Sequence, residues 1–185
     1  MLERHPAVKL LVNNAGIPGR SSFLEADPEQ IELVTGVNYL GSVWCLRAFL
    51  PGLVAAAPSD VVNVVSVAGT VSSGTSGPYT ASKHAQLAFS RSAASLLRPW
   101  GIRVHTVLPG FVETEGFPQR AVLPRALHRT IIEPERVANA VLRALDHDRL
   151  ELFVPRWYRV AALAQTLAPG LVGRLGARAI PRKPA

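Results

Sequence analysis

Tyr79 and Lys83 stand four residues apart near the start of a predicted helix, so their side chains share one face. A phenol ordinarily titrates at about pH 10 and is a poor proton donor or acceptor at neutral pH. A nearby ammonium favours the phenolate, and the positive end of a helix dipole adds a smaller push the same way. The pair is therefore a candidate acid/base couple, although Tyr-x-x-x-Lys by itself is common on solvated helix faces. Ser66 adds weight, because it closes a predicted strand at the end where open α/β sheets place their ligands. A hydroxyl there can hold a carbonyl oxygen beside the tyrosine; the plainer reading is a strand-terminal turn serine.

The elements that must position these groups are legible as alternating patterns. Val8 to Val12, Val61 to Val65, Ile102 to Leu108 and Leu150 to Val154 read as strands, stopped by Asn-, Gly- or Pro-rich turns. Helices fall between them. Asp27-Pro28-Glu29-Gln30 combines an N-cap, a first-turn proline and a glutamine suited to a capping box, and its helix is expected to stop before Pro51. A second helix is expected from Pro78-Tyr79 to Leu97 and a third from Pro134 to Leu145. Residues 111–132 read as a long irregular loop with a helical turn, and residues 161–167 have helical tendency. This alternation implies βαβ units: an α/β fold with a parallel sheet and helices on both faces.

Composition narrows the field. With 185 residues, 48% of them hydrophobic and 18% charged, the chain can bury a core, and wholesale disorder is excluded. Cys45 is the one cysteine, so no intrachain disulfide forms; in Trp44-Cys45-Leu46 it reads as a buried small hydrophobe in a reducing, cytoplasmic setting. Met1 to Pro6 carries no apolar signal region, and Val160 to Gly173 is too short to span a bilayer, which takes about 20 residues. The net charge of +7 is concentrated in Arg156, Arg159, Arg174, Arg178, Arg182 and Lys183, with no acidic residue after Arg156. Such a basic, apolar tail suits anionic lipid or an acidic partner, or simply packs on its own domain. No nucleic-acid motif accompanies the charge. His84 points off the Tyr79–Lys83 face and Asp146-His147-Asp148 reads as a helix-end turn, so no metal site is expected.

Four segments together resemble the classical short-chain dehydrogenase/reductase family. They are Asn13-Asn14-Ala15-Gly16, Val61 to Gly69 around Ser66, Pro78-Tyr79-Thr80-Ala81-Ser82-Lys83, and Leu108-Pro109-Gly110-Phe111-Val112-Glu113-Thr114. They occur in the family's order, each on the element where the family has it, over roughly residues 8–155. The resemblance implies the C-terminal part of a doubly wound Rossmann-type sheet. It implies hydride transfer between NAD or NADP and a small carbonyl or alcohol, with Tyr79 as general acid or base. Lys83 would lower the tyrosine's pKa and bind the nicotinamide ribose, Ser66 would polarise the carbonyl, and Asn38 would complete a proton relay through water. Asn13, Ala15 and Gly16 would follow the adenosine side of the cofactor; Pro109, Gly110 and Thr114 would line its nicotinamide end. Ordinary turn chemistry is the alternative for these residues.

The family's Gly-rich phosphate turn, G-x-x-x-G-x-G, follows no predicted strand here. The expectation is an N-terminally truncated member. Residues 1–155 would form an incomplete catalytic domain with an unpaired edge at Val8 to Val12, followed by a basic tail at 156–185. Three readings remain open: an oxidoreductase, a catalytically inactive remnant or binding module, and a protein held peripherally at a membrane surface. Phe111, Val112, Phe117, Trp157 and Tyr158 are candidates for an apolar substrate pocket suited to a lipophilic ketone or alcohol. The resemblance also implies a homo-oligomer joined through the helices beginning at Asp27 and Pro78.

Overall fold

Every strand expected from the sequence forms, and all run parallel. The computed structural model describes residues 6–19, 21–72 and 74–178. Met1 to His5, read above for a signal region, and Arg182 and Lys183 of the basic tail lie outside the described residues. The strands are β1 (Leu10–Asn13), β2 (Ser59–Val64), β3 (Ile102–Pro109) and β4 (Glu151–Val154), in the order β1-β2-β3-β4. Register is continuous: Asn13 pairs with Asn63, Val61 with Val104, and Pro109 with Val154. β1 is an edge among the described strands and leaves Leu10 and Val12 more than two-fifths exposed.

The helices are α1 (Pro28–Ala55), α2 (Gly77–Leu97), α3 (Pro134–Asp146), α4 (Tyr158–Leu167) and α5 (Pro169–Arg178). Strand alternation divides their work. Val61 and Val104 face one side, where Leu46 and Leu53 of α1 and Ala93 and Leu97 of α2 complete a core. Val62 and Val107 face the other, against Ala140 of α3, Ile132 and Val154. Fully buried Leu53, Leu97 and Leu108 each contribute about 1.5–3 kcal/mol of apolar burial. The long sequence segment 111–132 forms two short helical turns, Gln119–Val122 and Arg125–Thr130, tied back by a Val112–Ile132 bridge.

Three local expectations are corrected. Helix α1 does not stop before Pro51 but continues to Ala55. Pro51 and Arg47 are both exposed, on the outward side of the helix, where loss of one backbone hydrogen bond at a proline is best tolerated. The capping box does not form: Asp27 makes no side-chain cap bond, and the Gln30 amide oxygen accepts the Ser21 hydroxyl instead at 3.2 Å. Cys45 is exposed, not buried, because it shares the outward face of α1 with Trp44 while Ser42, Leu46 and Leu53 turn inward. By length and composition α1 is also apolar enough to cross a membrane, a property missed at the sequence level. Its inward side chains pack on α2 and the sheet, as those of a helix layered on a sheet do.

Candidate active site

The carboxyl ends of β1, β2 and β3 bring Asn13, Ser66 and Pro109 to one edge of the sheet, and α2 delivers Tyr79 and Lys83 onto the same edge. Ser66 follows β2 in extended backbone and starts a 3₁₀ turn, Val67–Gly69. Its Oγ accepts the Ala68 amide at 3.1 Å and donates to the Pro109 carbonyl at 3.4 Å. Gly69 lets that turn seat against α2. A methyl there would stand 2.7 Å from the Lys83 carbonyl, inside any real contact distance.

Tyr79 adjoins Ser66 and the ring of Phe117, whose centroid is 6.0 Å away. Burial raises the Tyr79 hydroxyl above its ordinary pKa, and the Ser66 hydroxyl offsets only part of that. The downward push expected from Lys83 is not what this arrangement gives, because the ammonium is turned to other partners. Lys83 is buried. Its Nζ donates to Gln86 Oε1 at 2.8 Å and to the Val64 carbonyl at 3.4 Å, and lies 5.9 Å from the Tyr79 ring centre. Burial lowers the Lys83 pKa to about 8.

Asn38 sits in a π-helical turn, Gly36–Leu40, within α1. Such wide turns recur at functional sites. Its side chain is fully buried and spends both ends of the amide on protein: Oδ1 accepts the Ile17 amide at 2.8 Å, and Nδ2 donates to the Ile17 carbonyl at 3.1 Å and to Ser82 Oγ at 3.0 Å. The segment after β1 is thereby clamped over α2. A methyl on Gly16 would lie 3.4 Å from Asn38 Oδ1 and 3.5 Å from Lys83 Nζ, and one on Gly19 would lie 3.1 Å from the Tyr79 amide.

The remaining candidates divide. Asn13 turns its amide into the sheet, donating to Asn63 Oδ1 at 2.8 Å, while Ala15 is exposed. Thr114 Oγ1 accepts the Phe117 amide at 3.1 Å and so braces its own turn. Gly110 is a glycine for a packing reason, since a methyl there would stand 2.1 Å from the Tyr158 ring. Of the proposed pocket residues, Phe117 faces Tyr79, Phe111 meets Tyr158 edge-on, and Trp157 stacks on Tyr158 at 3.8 Å. Val112 bridges Ile132. Sequence reasoning missed Ser42, Ser82 and Gln86. The signal for Gln86 was a polar residue one turn beyond Lys83, at a helix position that must be buried if Lys83 is.

Residues 1–121 match the family model for short chain dehydrogenases. The chain belongs to the short-chain dehydrogenase/reductase family. It is 34% identical over 173 residues to dehydrogenase/reductase SDR family member 7B of Xenopus laevis, covering 89% of this chain and 53% of that one. A short-chain dehydrogenase from Burkholderia cenocepacia, solved in complex with NADP, superposes with a TM-score of 0.80 at 31% identity, covering 97% of this chain and 72% of that one. A 3-oxoacyl-[acyl-carrier protein] reductase from Brucella melitensis, solved with NAD, gives a TM-score of 0.69 at 28% identity, covering 76% and 60%. The chain spans about half the length of the curated relatives it matches. As a short-chain dehydrogenase/reductase it is an α/β protein whose solved relatives hold NADP or NAD, without a choice between the two for this chain.

Proposed function

We propose that this chain carries the proton-transfer half of an NAD(P)-dependent oxidoreductase interconverting a carbonyl and an alcohol, with Ser66, Tyr79 and Lys83 as its acting groups. The convergence of the three on one sheet edge supports this most directly. The residues present suit a dinucleotide. Gly16 keeps the space beside Lys83 free of side chain, and Lys83 has a third N–H beyond those given to Gln86 and Val64. When bound, the nicotinamide supplies or accepts the hydride. The chain does the rest. Ser66 Oγ donates to the substrate oxygen, Tyr79, held protonated by burial, gives that oxygen its proton in reduction, and Lys83 donates to the nicotinamide ribose. The Asn38 side chain is already committed, so its part in the relay would pass through the main chain of the π turn. Asn13, Ala15, Pro109, Gly110 and Thr114 are assigned to the cofactor's border on the family pattern. Phe111 and Phe117 suit a lipophilic substrate.

Calorimetric titration of the full chain with NADPH and NADH tests this reading. Saturable binding, followed by ketone reduction lost in Tyr79→Phe, is the expected result. A folded chain that binds neither dinucleotide favours the remnant or binding module.

A second reading, peripheral attachment to a cytoplasmic membrane face, is favoured by α4 and α5. Val160, Leu163 and Leu167 form one helical stripe, and each is at least half exposed, as are Leu171, Leu175 and Trp157. Arg156, Arg159 and Arg174 flank them without acidic company. Cosedimentation with phosphatidylserine vesicles, lost in Leu163→Gln/Leu167→Gln, checks it; equal recovery with neutral vesicles would remove the charge argument. Leu33, Trp44, Val54 and Leu96, exposed on α1 and α2, are the surface proposed for a homo-oligomer.

A further inference from the structure

Two buried polar rungs join α1 to α2. The first is Asn38 to Ser82; the second, one turn further along both helices, is Ser42 to Gln86. The polarity of the second rung is dictated by chemistry. An ammonium has only donors, so Gln86 must show Lys83 its oxygen, and its amide nitrogen must then donate to Ser42 Oγ, which it does at 2.8 Å. Gln86 has no exposed surface and Ser42 almost none. A glutamine in such a place costs stability unless both ends of its amide are bonded, and here both are.

We propose that Gln86, braced by Ser42, is a positioning residue for Lys83: it holds the ammonium at the edge of the dinucleotide groove and keeps it protonated before any cofactor arrives. The inference rests on the oxidoreductase reading only in treating Lys83 as a site residue. Around the ammonium, β2 contributes the Val64 carbonyl, the segment after β1 contributes Gly16, and α2 itself contributes Tyr79 and Gln86, with Ser42 of α1 behind Gln86. Tyr79 is the titratable group among these and is held neutral, so the Gln86 oxygen is the short-range acceptor that favours the charged lysine. A hydrogen bond to the charged form favours that form, and without the Gln86 oxygen the buried ammonium would keep only the longer bond to the Val64 carbonyl.

The chain has three lysines, Lys9, Lys83 and Lys183, so ¹⁵N-lysine labelling gives three side-chain signals that Lys9→Arg and Lys183→Arg assign. The Nζ shift is followed against pH in the full chain without cofactor. Lys83 should titrate at about 8 in the parent. In Gln86→Leu the midpoint should fall by about one pH unit, which makes the neutral amine roughly fivefold more populated at pH 7. Gln86→Glu should move it upward, and Ser42→Ala should lower it by less than Gln86→Leu. A folded Gln86→Leu chain with an unchanged midpoint overturns the proposal. If that variant does not fold, Gln86→Glu decides: a midpoint no higher than the parent's overturns it equally. A chain that titrates as expected yet binds neither NADPH nor NADH would sink the oxidoreductase reading and leave the Gln86–Lys83 pairing standing.

Discussion

The two ends of the parallel sheet are both polar, and they are built in opposite ways. At the amino end of β2 and β3, Asp60 pairs with Arg103 at 2.8 Å and with His105 Nε2 at 2.9 Å, while His105 Nδ1 meets the Arg149 carbonyl at 2.9 Å. Each group is taken up by another from the same chain. Burial alone would raise the Asp60 carboxyl, but the hydrogen bonds and charges of Arg103 and His105 outweigh it and hold the pKa below the ordinary carboxylate value. At the carboxyl end, Lys83 keeps an N–H unspent, the Ser66 hydroxyl gives only a long 3.4 Å bond to the Pro109 carbonyl, Gly16 leaves room beside Lys83, and both titratable groups are shifted towards neutrality by burial. A closed network stabilises a fold; an open one stands ready for a ligand.

The largest effect should fall on chemistry alone. Tyr79→Phe removes one hydroxyl from the open end, and general acid catalysis contributes about 10²–10⁴-fold. Ketone reduction should fall by that order with thermal stability almost unchanged. A large loss of stability instead would mean that the carboxyl end is as closed as the amino end.

The converse holds for Asp60→Asn. It strips the carboxylate from Arg103 and His105, one of them fully buried, and should cost about 3 kcal/mol, or roughly 6–12 °C in melting temperature. Activity per folded molecule should survive. The folded pKa of Asp60 is depressed, so its contribution is present above the unfolded value of about 3.9 and is lost as pH falls through the folded value. Parent stability should therefore decline below about pH 4, with a shallower decline in Asp60→Asn. Equal slopes would show that Asp60 is not the group holding that end.

The same contrast explains what the sequence made legible. Ser66, Tyr79 and Lys83 are short-range signals, read from a strand end and a four-residue helix spacing, and each strand ends within one residue of the end of its apolar run. The Asp60–Arg103–His105 network joins residues more than forty apart, and only the register of β2 on β3 brings them together. Gln86 and Ser42 are likewise 44 apart; the one local mark on Gln86 is its place a turn beyond Lys83, and no local pattern marks Ser42. The π turn at Asn38 and the passage of α1 through Pro51 were hidden because tertiary packing and solvent exposure overrode local propensity. Cys45 went wrong for a related reason: an apolar sequence neighbourhood is not a buried face.

A smaller effect is expected where the open end is lined by packing. Gly110→Ala places a methyl 2.1 Å from the Tyr158 ring, so Tyr158 must move. The cost should be about 1–3 kcal/mol, read from urea unfolding. Because Tyr158 also stacks with Trp157 and meets Phe111, tryptophan fluorescence should shift with it. A neutral Gly110→Ala would mean that this edge yields freely and that the glycine serves the ligand alone.

The smallest and sharpest test uses the lysine. A buried ammonium with a pKa of about 8 is mostly charged at pH 7 and mostly neutral at pH 9. Its hydrogen bond to a ribose hydroxyl is charge-assisted only in the first state, and such bonds are roughly twice as strong as neutral ones. NADPH affinity should therefore weaken as pH rises through about 8, by roughly five- to tenfold between pH 7 and pH 9. Linkage then requires the bound complex to hold its proton more tightly than the free chain, so binding near pH 8 should take up a fraction of a proton. Calorimetry in two buffers of different ionisation enthalpy reads that uptake directly. Lys83→Met should bind more weakly at pH 7 and lose both the slope and the uptake. Affinity that is flat across this window in the parent chain would mean that Lys83 spends its charge inside the protein, as Asp60 does at the other end, and the contrast between the two ends would fail at its most specific point.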